Sequence, residues 1–448
     1  MKISQYNFVV NLNEDSLLLY NSRNNNLVKL EKNIYFNYVI KVNKDDMNLR
    51  IDEDFKKLYE LGFFVNYNQD EKNEVIINFE RNKYFFDSLN LTVAITNECN
   101  LNCIFCYVNK DNIYKLSARN YKNIINFIKR YYEDHKIKNL FITWSGGEPL
   151  IDLDNIIKLS EEIINFCCKN DIHYKSNIIT NAVLLNKETV KILQKVGVSN
   201  IQVSIEPTEI LDSLNRPIKN TNKSNFNNTY ENVKNTAELI SIVLRIALSK
   251  KNFNQIVSFV EKLKNDNLFF NKVNFALGPL HIPYLNSQLD YAILNDIFDS
   301  REYSNIYFDI YEELFNKNII NFTPYPELYK ECGAYKNNVF VIDANGDIFK
   351  CFENVFNRSE SIGNIRDKSI NLTYKYTDWI KKDFDFEKLE CYHCKLLPIC
   401  KGGCNMVRRF KKETNIGNFL ELGCSEWKYE YEKGLRLYYK SLKKNGKD

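Results

Sequence analysis

No stretch of this chain approaches the roughly 18 uninterrupted apolar residues that a membrane-spanning helix needs. Its first residues, Met1-Lys-Ile-Ser-Gln-Tyr-Asn-Phe-Val-Val, lack the long apolar h-region of a secretory signal. Charge of one sign is also lacking: 61 basic against 57 acidic residues leave a net +4, too little to argue for nucleic acid or a membrane surface. Gly (14) and Pro (8) are scarce, whereas Lys, Asn, Ile, Tyr and Phe abound, a bias of AT-rich coding DNA more than of function. No internal repeat or low-complexity linker is evident. These absences predict a cytoplasmic protein with no nucleic-acid or membrane partner. What is present in quantity is length and cysteine. At 448 residues the chain has room for two or three domains with a sizeable core. In a reducing compartment its 12 cysteines speak for metal sites over disulfides.

Three regions separate by pattern. Residues 1–85 read as short strands (Tyr6–Val10, Leu17–Tyr20, Leu27–Leu30) followed by a helical segment closed by Gly62, a helix C-cap before a strand. Residues 86–322 alternate strand and helix. The predicted strands are Leu91–Thr96, Asn139–Trp144, Asn177–Thr180, Asn200–Ile205, Ile242–Leu248 and Lys272–Leu277. The predicted helices between them include Ala118–Tyr132, Asp154–Cys168, Lys187–Val196, Phe226–Ile240 and Phe253–Asn265. Residues 323–448 are loop-rich and hold seven of the 12 cysteines.

Chemistry concentrates in Cys99-Asn-Leu-Asn-Cys103-Ile-Phe-Cys106, directly after an apolar strand. A four-iron, four-sulfur cluster takes cysteine ligands, and three thiolates in one loop leave one iron open for a small chelating molecule. A zinc knuckle or a buried-cysteine loop is the plainer alternative. The spacing resembles that of the radical S-adenosylmethionine (SAM) superfamily, down to Phe105 before the last cysteine. That resemblance implies a partial (β/α)6 barrel in an α/β fold, with SAM on the open iron and hydrogen abstraction by a 5′-deoxyadenosyl radical. In such barrels chemistry gathers at the C-terminal strand ends. Ser145-Gly146-Gly147-Glu148-Pro149 falls at such an end and is similar to the family's GGEP motif; glycines admit close approach and a carboxylate suits an ammonium. The resemblance assigns Gly146, Gly147 and Glu148 to the SAM amino group. Thr180-Asn181 resembles the family's TN pair. Ser204, in Val203-Ser204-Ile205-Glu206, and Arg216 are candidates for the SAM carboxylate, Arg offering a planar fork. A strand-end polar residue and a surface ion pair are the bland alternatives for those two.

The string Cys332, Gly346-x4-Cys351, Cys391-x2-Cys394-x5-Cys400-x3-Cys404 and Cys424 resembles the SPASM extension of radical SAM enzymes, which holds two auxiliary clusters. A zinc ribbon is also compatible with part of it. Carried over by position, Cys332, Cys351 and Cys404 would hold the first auxiliary cluster, and Cys391, Cys394, Cys400 and Cys424 the second. The first set is one ligand short; His393 reads as loop filler. Three 4Fe-4S clusters in all are therefore expected. Cys167 and Cys168 have no partners at metal spacing and are left out. Residues 1–85 resemble the winged-helix peptide-recognition elements of peptide-maturation enzymes, although a plain cap on the barrel fits too. Sulfatase-maturing relatives place an aspartate directly after the second SPASM cysteine, whereas Phe352 and Glu353 follow Cys351 here. The resemblance thus points to an enzyme that crosslinks a ribosomally made precursor peptide, most simply through cysteine thioethers. Sulfatase-type protein oxidation and carbon–carbon crosslinking are the alternatives, and a non-catalytic iron–sulfur carrier would not need Gly146-Gly147-Glu148. The expected partners are a precursor peptide, its leader held by residues 1–85, and a flavodoxin or ferredoxin-type electron donor.

Overall fold

The computed structural model describes residues 1–44, 46, 48–49, 52–108, 112–221, 223–269, 271–280, 291–328, 332–367, 373–382, 390–407 and 423–446. The chain forms two compact units. One comprises Met1–Lys83, Asp299–Cys332 and Phe384–Asp448; the other comprises Tyr84–Phe298 and Gly333–Asp383.

In the first unit, β1 (Lys2–Ile3) pairs antiparallel with β5 (Phe64–Val65), and β2 (Asn7–Asn11), β3 (Ser16–Asn21) and β4 (Asn26–Glu31) make an antiparallel sheet in that order. The helices are α1 (Lys32–Asn43), α2 (Glu53–Glu60) and α3 (Glu71–Lys83). Asp52 caps α2 by accepting from the N–H groups of Asp54 and Phe55. At the other end Gly62 takes φ +83°, Gly62 N–H donates to Tyr59 O and Phe63 N–H to Leu58 O, a Schellman closure. Every residue of β3 is buried, because successive side chains point to opposite faces and both faces are covered. Leu17 and Leu19 join Tyr35, Tyr38, Phe55 and Phe64; Leu18 and Tyr20 join Phe8, Phe308, Leu396, Ile399 and Trp427. The N-terminal sheet and the C-terminal cysteine segment therefore share one core, tied further by Lys395 Nζ donating to Asn7 O (2.9 Å). The helices Ser300–Asn316 and Trp427–Lys444 close the unit through the Phe308–Trp427 edge contact, centroids 4.8 Å apart.

The second unit is built on six parallel strands in chain order: β6 (Ser88–Thr96), β7 (Asn139–Gly146), β8 (His173–Thr180), β9 (Val198–Ser204), β10 (Ser241–Leu248) and β11 (Val273–Pro279). Between them run α4 (Ala118–His135), α5 (Leu153–Lys169), α6 (Lys187–Lys195), α7 (Glu209–Asn215), α8 (Phe226–Thr236) and α9 (Ile256–Asn265). Side-chain oxygens of Ser117, Asn186 and Thr208 cap α4, α6 and α7. In β10, Ile242, Leu244, Ile246 and Leu248 are buried and alternate with half-buried residues, as a pleated strand requires. The predicted strand–helix alternation is thus present, each element within a few residues of its expected limits. One addition was not expected: β12 (Val339–Asp343) pairs parallel with β6, and β13 (Asp347–Phe349) and β14 (Gly363–Asn364) extend the same sheet to nine strands. Residues 333–383 pack with the barrel although their sequence belongs to the cysteine-rich tail. No described helix is long and apolar enough to cross a membrane.

Candidate active site

The cysteine loop grows from the end of β6 and is pinned at its base. Thr96 Oγ1 donates to Tyr114 O (2.8 Å) and accepts from Glu98 N–H (3.0 Å), while Asn97 Oδ1 accepts from Tyr114 N–H (2.6 Å). Inside the loop, Cys106 N–H donates to Cys103 O (3.3 Å) and Leu101 N–H lies 3.4 Å from Cys99 Sγ. Cys99, Cys103 and Cys106 are partly exposed and free of disulfides. Among the described residues no three His, Cys, Asp or Glu side chains converge on a single-ion site. A cubane spreads its thiolates over separate irons, so its ligands stand wider than those of one ion. The thiol-only donor set of this loop suits iron–sulfur ligation.

The motif at the end of β7 lies against that loop. Gly147 N–H donates to Thr96 O and Glu148 N–H to Glu98 O, both at 2.8 Å. Gly146 has φ +136°, and a Cβ there would meet Thr96 O at 2.1 Å; one on Gly147 would meet Glu98 O at 2.3 Å. The glycines are thus required by approach to the chain's own backbone, a role that needs no ligand. Glu148 is fully buried, and burial raises its carboxyl above the usual range, opposed by three hydrogen bonds and by the charge of Arg216. Oε1 accepts from Leu150 N–H (3.0 Å) and Thr180 Oγ1 (2.7 Å); Oε2 accepts from Asn181 N–H (2.8 Å). Asn181 then turns its side chain to the cysteine loop, Nδ2 donating to Asn100 Oδ1 (2.6 Å) and standing 3.8 Å from Cys99 Sγ. Three sequence-predicted elements, the cysteine loop, Gly146-Gly147-Glu148 and Thr180-Asn181, are brought into one bonded assembly.

The end of β9 is a second assembly. Ser204 pairs with Arg245 of β10 and is half-buried. Arg216 is buried at the end of α7, Nη1 3.6 Å from Asp212 Oδ1, which replaces the surface ion pair with an interior one. Its positive charge also acts on Glu148 and Glu206. Glu206, to which the sequence reading gave no role, is buried and pushed up to about 7, chiefly by desolvation. It accepts from Asn252 Nδ2 (3.1 Å) and Asn215 Nδ2 (3.2 Å). Asn252 in turn accepts from Ser249 N–H (2.9 Å), and Asn215 O accepts from Ile104 N–H (3.0 Å) in the cysteine loop. The turn after β10, Glu206 and the cysteine loop thus form one connected path. The only sequence signal for Glu206 was an acid two residues after a strand-end serine; Asn215 and Asn252 carried none.

The C-terminal cysteines fall in both units. Cys351 follows β13, and its turn packs on the end of the loop: Tyr107 meets Phe352 edge-on at 5.5 Å, and Tyr114 stacks with Phe356 at 6.3 Å. Cys332 belongs to the other unit and is exposed. There Cys391 lies within the one-turn helix Glu390–His393 and Cys394 follows it, Cys394 N–H donating to Cys391 O (3.1 Å), and Cys400 ends the short helix Leu397–Cys400. Cys404 N–H donates to Gly423 O (3.3 Å), which brings the strand of chain bearing Cys424 beside it. Cys167 is buried, its thiol pushed up to about 12 by desolvation, and Cys168 is exposed.

Residues 93–263, most of the barrel unit, match the Radical SAM superfamily. The chain carries a radical SAM domain and is a radical SAM enzyme. Its similarities run further than that domain. The radical SAM cyclopropyl synthase TigE of Paramaledivibacter caminithermalis is 25% identical over 459 residues, 90% of this chain and 89% of the relative. A cysteine-type anaerobic sulfatase-maturating enzyme of Clostridium perfringens is 23% identical over 370 residues, 75% of this chain and 92% of the relative. Among solved structures, native anSMEcpe with bound AdoMet and Kp18Cys peptide superposes with TM-score 0.62 at 18% identity, covering 80% of this chain and 99% of that one. Streptococcus suis SuiB bound to precursor peptide SuiA gives 0.51 at 17%, covering 95% and 99%. These two likenesses establish the fold.

Proposed function

We propose that this enzyme crosslinks a ribosomally made precursor peptide, using SAM, one SAM-binding 4Fe-4S cluster and two auxiliary clusters held by the seven C-terminal cysteines. The observation that carries the reading is the bonded assembly of Cys99, Glu148 and Asn181 within a radical SAM domain. Of the proteins named above, the sulfatase-maturating enzyme acts on a protein by its name, and anSMEcpe and SuiB were solved with a bound peptide, which supports the substrate class. When bound, the SAM cluster supplies the electron that opens SAM to a 5′-deoxyadenosyl radical. The chain's own residues then have distinct tasks. Glu148 Oε2 accepts from Asn181 N–H and retains an acceptor direction for the SAM ammonium. Ser204 and Arg216 take the SAM carboxylate, with Asp212 holding the guanidinium in place. Replacing Cys99, Cys103 and Cys106 together with Ala abolishes 5′-deoxyadenosine formation while the auxiliary clusters stay; an iron content unchanged from the parent overturns the ligand assignment.

The leader binds the N-terminal region as an added strand. β4 is an edge of its sheet, and α1, next in the chain, exposes Ile34, Phe36 and Ile40. Because β3 shares its core with the C-terminal cysteine segment, removing residues 1–85 would strip that core, so point changes are the sound test. Phe36→Ser with Ile40→Ser weakens leader binding about tenfold, the scale of a lost apolar anchor. Unchanged binding rejects this surface.

The bond formed is a cysteine thioether in the first reading, with loss of two hydrogens per crosslink. A second reading, carbon–carbon bond formation, is favoured by the extent of the match to a cyclopropyl synthase. A precursor with its cysteines changed to serine separates them: it is left unmodified under the first and is processed under the second.

A further inference from the structure

The four cysteines proposed for the second auxiliary cluster belong to one unit and are gathered there by several contacts. Gly403 takes φ +74°, and a Cβ on it would meet Gly423 O at 1.9 Å and Cys400 Sγ at 3.7 Å. Cys400 and the residue before Cys424 therefore close on one glycine. Lys428, in the first turn of the helix Trp427–Lys444, brings its Nζ to 3.5 Å from Cys424 Sγ. Its charge also acts on Cys394, whose thiol is raised by burial and pulled back by Leu396 N–H and by Lys428. The Tyr6 hydroxyl is buried with no hydrogen-bond partner among the described residues; burial raises it, and Cys394 is among the charges that act on it. Thiols with spare donors beside them suit an iron–sulfur centre, whose sulfurs accept hydrogen bonds. Lys428 is held only weakly elsewhere. Glu390 Oε2 lies 4.0 Å from Nζ and is 94% exposed, and the Tyr429 ring is 5.3 Å away. A neutral thiol is a poor acceptor for an ammonium, whereas a thiolate is a strong one.

We propose that Lys428 is a positioning residue for the second auxiliary cluster: its ammonium donates to the Cys424 thiolate and makes one-electron reduction of the cluster held by Cys391, Cys394, Cys400 and Cys424 more favourable. The inference rests on the cluster assignment under Proposed function. Reduction adds one electron, and so one negative charge, with no bond made or broken. A cation against a ligand sulfur stabilises that added charge more than it stabilises the oxidised form. The helix that follows Cys424 thus supplies the counter-charge for the ligand just before it. In a crosslink formed with loss of two hydrogens, the 5′-deoxyadenosyl radical takes one as an atom. The other leaves as a proton to solvent and an electron, which an easily reduced cluster can receive.

The test is a potentiometric titration of the full, cluster-loaded chain with dithionite as reductant, followed by electron paramagnetic resonance. Every sample carries Cys99→Ala, Cys103→Ala and Cys106→Ala, so that the auxiliary clusters alone report. The signal of the second cluster is the one that Cys391→Ala removes. Lys428→Met lowers the equilibrium constant for its reduction about tenfold, a midpoint about 59 mV more negative, the scale of one charge-assisted hydrogen bond. Lys428→Arg, which keeps the cation, stays within about threefold of the parent. An unchanged midpoint in Lys428→Met overturns the proposal. So does an equal shift in Lys428→Arg, which means lost packing and not lost charge. Where Lys428→Met sheds iron, Lys428→Gln is titrated in its place and shifts in the same direction. Iron loss in both means that the residue only braces the cysteines, and the proposal falls. A parent that binds no iron beyond the SAM cluster, or loses none on Cys391→Ala, refutes the cluster assignment before any potential is read, so the two failures are distinguishable.

Discussion

Two carboxyl groups are buried at strand ends of the barrel on either side of β8, Glu148 after β7 and Glu206 after β9, and they are held in opposite ways. Glu148 accepts from two backbone N–H groups and a hydroxyl, donors that the fold itself places. Among the described residues, Glu206 accepts from the side-chain amides of Asn215 and Asn252 and from no backbone group. Burial raises both above the ordinary glutamate range, and Arg216 pulls both down. The difference lies in what each one joins. Glu148 ties the ends of β7 and β8 together beside Cys99, so its loss strands backbone donors. Glu206 ties movable side chains, so its loss mainly changes charge.

The largest effect follows from Glu148→Ala. Leu150 N–H, Asn181 N–H and the Thr180 hydroxyl lose a buried acceptor together, a cost of roughly 3 kcal/mol or more. Denaturant melts measure it, and SAM cleavage should vanish with it. Glu148→Gln sharpens the point: the shape survives and the Thr180 hydroxyl can turn to accept from the new NH2, but Leu150 N–H loses its acceptor and the anionic acceptor is gone. Stability should fall by about 1 kcal/mol while SAM affinity drops about tenfold or more, as expected for a hydrogen bond to a charged group. Equal damage to both properties would mean that Glu148 only braces the strand ends.

A smaller effect is expected at Asn181, which links Glu148 to the cysteine loop. Asn181→Ala removes the 2.6 Å bond to Asn100 and the contact with Cys99. A net loss of about 1 kcal/mol in loop order corresponds to about fivefold faster iron loss to a chelator. Iron release at the parent's rate would show that the loop is held without Asn181, by its base at Thr96 and Asn97 and by bonds such as Ile104 N–H to Asn215 O.

The same contrast explains what could be read in advance. Glu148 was legible because its strand end lies so close to the backbone of Thr96 and Glu98 that glycines are required beside it, which leaves a motif. The six barrel strands were legible from alternating and continuous apolar runs separated by amphipathic helices. Glu206 was not, because its partners are asparagines in separate loops, and amides at such distances leave no periodic trace. The pairing of β12 with β6 was equally silent: Val339–Asp343 reads as a strand, but nothing local names a neighbour more than 240 residues away. The run Ser16–Asn21 showed no alternation for a different reason, since each of its faces is covered by its own apolar cluster.

The last effect, and the one that separates the two carboxyls most cleanly, is a pH dependence. The folded Glu206 carboxyl titrates near about 7 against an ordinary value of 4.5. Between those values the unfolded chain has released a proton that the folded chain keeps, so stability falls as pH rises from 4.5 to about 7 and then levels off. The full swing attributable to one such group is on the order of 3 kcal/mol and shrinks with any relaxation that lets water in. Glu206→Gln should abolish that contribution, because Gln does not titrate. Asn252 Oδ1 is committed to Ser249 N–H, so the Gln oxygen must face Asn252 and its NH2 must face a flipped Asn215, at little cost to the fold. Asp343 and Glu353, both raised to about 7 chiefly by burial, titrate in the same window, so the measured quantity is the difference between variant and parent. Denaturant melts at pH 5, 6, 7 and 8 should show the variant gaining on the parent as pH rises, with no further gain above about 7. A constant offset across that range would mean that Glu206 is ionised throughout, held so by Arg216, and that its two amide donors outweigh its burial.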